Sequence, residues 1–257
     1  VIYEGLATPG LHVALSRGEP RGHRYAYGML PADRAYDRTS RCRGAHASCL
    51  GPNTYDGDFF GPDTTPQLAP WTRPTSGGFP RSDQRPEDTA PVWFALDAMR
   101  YASDDPDSTM RFDFIADVRR RPDFLSTEAP WPVFRADAWL GPDFDGLVFM
   151  SEALAESGVT VYLGANDVRA DSTAGRYASL GPVRLTFAEG LRLEPGARLV
   201  VGPEAEVLIE RGVLGGPGAV LVVEPGARVT LGRDVRVEGA RLEGEPNQAL
   251  RRRFRGH

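Results

Sequence analysis

Apolar and polar positions alternate most regularly in the last third of the chain. Leu191-Arg192-Leu193-Glu194, Val207-Leu208-Ile209-Glu210, Leu221-Val222-Val223-Glu224 and Val235-Arg236-Val237-Glu238 share the pattern apolar-x-apolar-Glu. Period-two alternation over such short spans predicts strands, and the recurrence predicts an internal repeat of about four units over residues 181–248. Two units are followed by the same string, Pro195-Gly196-Ala197-Arg198 and Pro225-Gly226-Ala227-Arg228. Pro-Gly suits the second and third positions of a type II turn, whereas tight hairpins use primed turns that an L-proline cannot enter. The corners therefore favour bends between stacked coils over antiparallel hairpins. The spacing of the glutamates sets the expected coil at roughly 14–16 residues, with two or three short strands and the Leu, Val and Ile side chains inside.

These residues resemble the coil signature of parallel β-helix proteins, which implies a fold and no activity. Upstream the pattern changes. Asp88 or Thr89 as a cap, Pro91 in the first turn and Trp93–Ala102 as the body predict a helix. Arg111–Val118 alternates, with Phe112, Phe114, Ala116 and Val118 expected on the buried side and Ile115 as the exception. Ser151 through Glu156 reads as a short helix ended by Gly158, with Val159–Leu163 as the next strand. The fold class expected is mixed α+β and β-rich. An α+β domain over 1–180, with a long Pro/Gly-rich loop at 51–92, precedes a short solenoid-like repeat at 181–248. A basic tail at 249–257 then covers the last open edge. The aromatics of the 51–92 loop, Trp71 among them, predict that it is tied down against something.

Composition narrows the chemistry. All 30 basic residues are arginine, which removes Schiff-base, P-loop and other lysine-dependent reactions. Two explanations stand for the missing lysine: a GC-rich coding bias, consistent with only three Asn and three Ile, or selection against ammonium groups in a toxin chain that must escape ubiquitin tagging. Net charge is −5, which disfavours nucleic acid as a partner despite the Arg-rich stretches at 17–43 and 251–255. No apolar run approaches the ~18 residues of a membrane span, and no charged-then-apolar leader opens the chain as it stands. The expected location is secreted or exported, with a cytoplasmic one as the alternative.

Cys42 and Cys49 flank His46. A disulfide suits an exported chain with an even cysteine count; a zinc site completed by His12 or His23, or two free thiols, are the other readings. The Asp104-Asp105-Pro106-Asp107 and Asp143-Phe144-Asp145-Gly146 clusters carry calcium-type donors without the spacing of a calcium loop, and aspartate is a common turn former.

One further constellation bears on function. Phe124-Leu125-Ser126-Thr127-Glu128 precedes an aromatic run, and Pro203-Glu204-Ala205-Glu206 precedes the apolar strand Val207-Leu208-Ile209. These resemble two of the three signature elements of bacterial ADP-ribosyltransferase toxins, a Ser-Thr strand shaping the NAD pocket and a Glu-x-Glu turn. The resemblance implies NAD as substrate, with no bound cofactor. It makes Ser126 a residue of the NAD pocket, Glu206 the carboxylate that holds the nicotinamide ribose, and Glu204 the activator of the acceptor. The family's first element needs an arginine on an early strand; Val1–Leu6 carries Glu4 there, so Arg17 would have to serve. Two functions from different classes follow. One is a toxin- or effector-type enzyme that cleaves NAD. The other is a non-enzymatic surface, assembly or binding module on a β-solenoid, contacting carbohydrate or a protein partner or associating with itself through the repeat. The surroundings of Glu206 discriminate: a cleft shared with Ser126 favours the enzyme, whereas pairing with Arg198 or Arg228 of neighbouring coils makes it a structural residue.

Overall fold

Residues that read as a helix pair instead as a strand. The computed structural model describes residues 2–5, 27–30, 65–72, 92–102, 110–166 and 177–255. The chain divides into two units, Val1–Ala116 and Asp117–His257. In the first, β1 (Ile2–Gly5) pairs antiparallel with β2 (Tyr27–Leu30), and β3 (Ala95–Tyr101) with β4 (Met110–Ile115). The expected helix over 93–102 is thus β3. Its helix-forming Ala, Leu and Met are overruled by partners on both edges: β4 on one, and on the other Leu68, which exchanges two 2.8 Å backbone hydrogen bonds with Leu96.

A buried polar chain locks this arrangement. Asp97, 4% exposed, accepts from Gln67 Nε2 at 2.9 Å, and Trp71 Nε1 donates to Gln67 Oε1 at 3.1 Å. The strand bulges just beyond, where Ala98 takes φ +50° and its N–H donates to Asp97 Oδ1 at 2.8 Å. Within the 51–92 loop, Leu68 and Trp71 are buried. The facing of β4 is the reverse of the expectation. Ile115 is buried opposite Ala95, while Phe112 and Phe114 are 49% and 58% exposed. Larger side chains do not decide the face; the register against buried Ala95 does.

The second unit is a three-sided stack of parallel strands, a β-solenoid of about five turns. One face holds β5 (Val133–Phe134), β8 (Ala153–Ala155) and β11 (Leu191–Leu193). The next holds β6 (Ala138–Leu140), β9 (Thr160–Leu163), β12 (Arg198–Val201), β14 (Val220–Val223) and β16 (Arg241–Gly244). The third holds β7 (Leu147–Phe149), β10 (Val183–Phe187), β13 (Ala205–Leu214) and β15 (Arg228–Val237). The chain visits the three faces in that order on every turn. The long strands β13 and β15 bend after a register shift at Ile209/Arg211, and their second halves continue along the first face.

The coil is longer than expected. Leu140, Leu163, Val201, Val223 and Gly244 are successive register partners, one per turn on the second face. The spacing between glutamates therefore covers two faces of three, so each glutamate in the series lies on a different face from the one before it, and Glu194 and Glu238 return to the same face. The parallel ladders also reach back to Val133, well before residue 181. Ala153–Ala155, expected in a helix, lies between β5 and β11 in register; so short a segment cannot hold a helix against such pairing. Gly158 still takes positive φ, +77°, but as a coil corner.

The Pro-Gly corners are as the turn chemistry requires. The N–H groups of Ala197, Ala219 and Ala227 donate to Glu194, Gly216 and Glu224 O at 2.9, 3.0 and 3.0 Å, closing turns in which Gly196, Gly218 and Gly226 have φ +77°, +75° and +88°. Inside, Leu191, Leu199, Ile209 and Leu221 are fully buried, and Phe149 stacks on Phe187 with ring centroids 4.9 Å apart. The turn from Leu163 to Val201 is longer than the others because it carries an excursion over 164–182. The described part of that excursion returns across the outer side of the second face, where Tyr177 and Leu180 pack on Trp139, Tyr162, Val200 and Val222. Around Trp139, Tyr162, Val200 and Val222 that face is buried on both sides, which explains the apolar runs of β9, β12 and β14.

The last described helix, α1 (Gln248–Arg255), lies on β15 and β16. Leu250 is buried there, Asn247 Oδ1 accepts from Leu250 N–H at 2.8 Å, and Arg253 donates to Val235 O. It is the one α-helix among the described residues. The described residues are thus β-rich, as the β-rich part of the expectation has it, with this single α-helix among them.

Tight rung spacing is testable. A Cβ at Gly202 would overlap the backbone of Gly164 one rung away, whereas one at Gly158 meets nothing within 4 Å and faces only its positive φ. Gly202→Ala is expected to cost about 3 kcal/mol and Gly158→Ala about 1 kcal/mol. Urea midpoints at unchanged slope measure both; the reverse ranking contradicts the stacking.

Candidate functional site

The stacking that orders the core also aligns the outer side chains of the third face. Arg184, Glu206 and Arg228 are consecutive register partners on β10, β13 and β15. Arg228 Nη1 lies 2.8 Å from Glu206 Oε1, and Arg184 makes a two-pronged contact with Asp145, Nε to Oδ1 at 3.1 Å and Nη2 to Oδ2 at 2.9 Å. The Arg184 N–H adds a 2.8 Å bond to Asp145 Oδ1. The result is an alternating ladder, Asp145–Arg184–Glu206–Arg228, across an exposed sheet. The guanidinium holds the Asp145 carboxyl down to about 2, and the carboxylate in turn raises Arg184. Glu206 is thus paired with Arg228, one of the two arginines of neighbouring coils named above.

The other expected site residues are scattered. Glu204 sits in the turn that Ala205 N–H closes on Gly202 O at 3.1 Å, and it accepts from Ser179 Oγ at 2.9 Å. Ser126 is exposed, and its Oγ accepts from Ala129 N–H at 3.1 Å within its own turn. Among the described residues no hydrogen bond or ion pair joins Ser126 to Glu204 or Glu206. Arg17, Cys42, Cys49, His46 and the cluster at 104–107 lie outside the described residues. Asp143 and Asp145 are parted in role: burial raises the Asp143 carboxyl, while Asp145 is spent on Arg184. Among the described residues no group of three or more His, Cys, Asp or Glu could hold a metal, and no helix is long and apolar enough to cross a membrane.

A different place offers room for a ligand. The segment 118–131 runs past the corner strip where β7 turns into β8, and between them lies a groove of about 530 Å³. Trp131 and Phe149, both 5% exposed, form its floor, and Trp131 is anchored by Nε1 donating to Val118 O at 3.3 Å and by Ser151 Oγ donating to its carbonyl at 2.8 Å. Val148 and Met150, 43% and 75% exposed, line one rim. Arg119, Arg121, Glu128, Glu152 and Glu189 supply the charge.

These charges are unequally satisfied. Asp117 accepts from Arg119 Nε and Nη2, both at 2.8 Å, which lowers the aspartate and raises the arginine. Glu152 and Glu189 meet Arg192 and Arg211 only at 3.7 and 3.5 Å. Glu128 is exposed and makes no hydrogen bond or ion pair among the described residues. Arg121 Nη2 is buried with no hydrogen-bond partner.

Of the Ser-Thr element, Thr127 and Glu128 line the groove, and Ser126 is not among its lining residues. Sequence reasoning missed Arg121. Nothing in the run Arg119-Arg120-Arg121 distinguishes the one whose nitrogen the fold leaves unbonded. No family model, curated protein or solved structure matches the chain.

The ladder gives a pH test. Asp145 sits below its ordinary 3.8, so its stabilisation is present above that value and lost as the pH falls through about 2. In Arg184→Gln the Asp145 carboxyl midpoint, read from its side-chain NMR shift, is expected to return toward 3.8; an unmoved midpoint removes Arg184 as the cause.

Proposed function

We propose that the chain is a non-catalytic binding module. Its β-solenoid serves as a rigid scaffold, and the groove along the corner of the first coils takes the ligand. The observation that carries this reading is the environment of Glu206. A carboxylate that must stabilise developing positive charge on a sugar needs to be aimed into a cleft. Glu206 instead belongs to an ion ladder on an open sheet face, bonded to Arg228, while the Ser126 hydroxyl is used within its own turn. The groove, by contrast, has an apolar floor, polar walls and a volume within the usual range of about 300–1,000 Å³ for ligand sites.

The reading calls for no cofactor and no lysine chemistry. Carbohydrate or a protein segment is the partner class, in keeping with an exported protein. Self-association through the stack is less well served, because α1 lies on β15 and β16 at the C-terminal end.

Purified protein is expected to release no nicotinamide from NAD, and Glu206→Ala is expected to shift stability by less than about 1 kcal/mol, as for other exposed ion pairs. Release that is lost in Glu206→Ala would overturn the reading in favour of an NAD-cleaving enzyme.

A further inference from the structure

We propose that the groove between residues 118–131 and the Val148–Glu152 strip binds a polyhydroxylated carboxylate, a sugar acid, with its carboxylate on the Arg121 guanidinium. The proposal rests on the binding-module reading and names the ligand class for the same groove.

Arg121 carries the argument. Its Nη2 reaches neither water nor a protein acceptor, and no carboxylate pairs with it among the described residues. An arginine stays charged under these conditions, and a donor left unmade inside a protein costs free energy. Arg119, beside it, differs because Asp117 already fills its fork. Among the described residues Arg121 is therefore the groove's unspent cation. A small rotation of the guanidinium toward an incoming acceptor pairs its fork, and a planar carboxylate matches that fork with two parallel bonds.

The remaining walls decide what accompanies the carboxylate. Among the described residues Glu128 makes no ion pair, and Glu152 and Glu189 sit at 3.7 and 3.5 Å from their arginines, too far for good hydrogen bonds, so all three retain acceptor capacity. Among the described lining residues one unpaired guanidinium, Arg121, stands beside the carboxylates of Glu128, Glu152 and Glu189, which suits a single carboxylate better than a polyphosphate or a nucleic acid. The three carboxylates call for a ligand that presents donors. A peptide presents carbonyl acceptors as often as N–H donors, whereas a saccharide carries hydroxyl donors all round its ring. The Thr127 hydroxyl adds a group that can donate or accept. The exposed Val148 and Met150 rim offers an apolar surface to the C–H face of such a ring.

Titration calorimetry of the full chain at pH 7 tests this with four probes: D-glucuronate, a glucuronate-terminated disaccharide, D-glucose and acetate. Glucuronate is expected to bind at least about tenfold more tightly than glucose or acetate, and Arg121→Gln to weaken it about tenfold. Glu128→Ala, at an exposed position that leaves the fold intact, is expected to weaken it several-fold, and Arg120→Gln to leave it unchanged. A tighter disaccharide assigns the source to an acidic glycan, and equal affinities assign it to the free sugar acid. Glucose binding as tightly as glucuronate, affinity unmoved by Arg121→Gln, or no binding of any probe by the folded protein overturns the proposal. None of those results restores NAD cleavage, so the binding-module reading falls only to the nicotinamide assay.

Discussion

In-register parallel stacking is the constraint from which the second unit follows. Each rung must place an apolar side chain above the one below and offer its backbone to the next, so coils must return to the same register on every turn. Val201, Val223 and Gly244 keep that register on consecutive turns, and where the chain adds length it does so as one excursion between β9 and β10. Turns at fixed places make the return possible. The type II corners at Pro195-Gly196, Pro217-Gly218 and Pro225-Gly226 cost little because proline presets one dihedral and glycine accepts the positive φ of the next. Wherever rungs approach too closely for a side chain, as at Gly202 beside Gly164, glycine is also a spacing device.

The same constraint explains the outer surface. Residues that stack in register inside do so outside as well, so a charge on one rung faces a charge on the next. Like charges would repel there, and the third face instead alternates Asp145, Arg184, Glu206 and Arg228. Glu206, read from the sequence as part of a turn, is the second residue of β13 and takes its place in that alternation through Arg228. The groove has the opposite origin. It forms where the segment 118–131, which belongs to no rung, runs beside the first coils, so its charges escape the pairing that repetition imposes on the faces.

Much of the architecture was legible in the sequence, and the parts that were not have identifiable causes. The Pro-Gly pairs specified turn type directly, and with it stacked coils over hairpins. The period was misread because apolar-x-apolar-Glu recurs on every second face, so the visible spacing measures two sides of a three-sided coil rather than its full turn. Ala153-Leu154-Ala155 and the stretch 93–102 have helix-forming side chains, and only their partners, distant in sequence, make them strands. Phe112 and Phe114 were expected on the buried side from the alternation of Arg111–Val118, yet the register with Ala95 buries Ile115, the exception to that pattern. Arg121 was invisible for a similar reason: whether a guanidinium nitrogen finds a partner is a property of the packed fold, not of an Arg-Arg-Arg string.

The rung register around Glu206 can be measured by cross-linking in protein whose Cys42 and Cys49 are replaced by serine. Adjacent in-register strands place paired positions within the roughly 4.4–6.8 Å Cα separation that a disulfide tolerates, while positions two rungs apart exceed it. Mild oxidation is expected to close a disulfide in Glu206→Cys/Arg228→Cys and in Arg184→Cys/Glu206→Cys, and to leave Arg184→Cys/Arg228→Cys open. Closure of the 184–228 pair, or failure of both adjacent pairs in folded protein, would contradict the stacked register and, with it, the structural role assigned to Glu206.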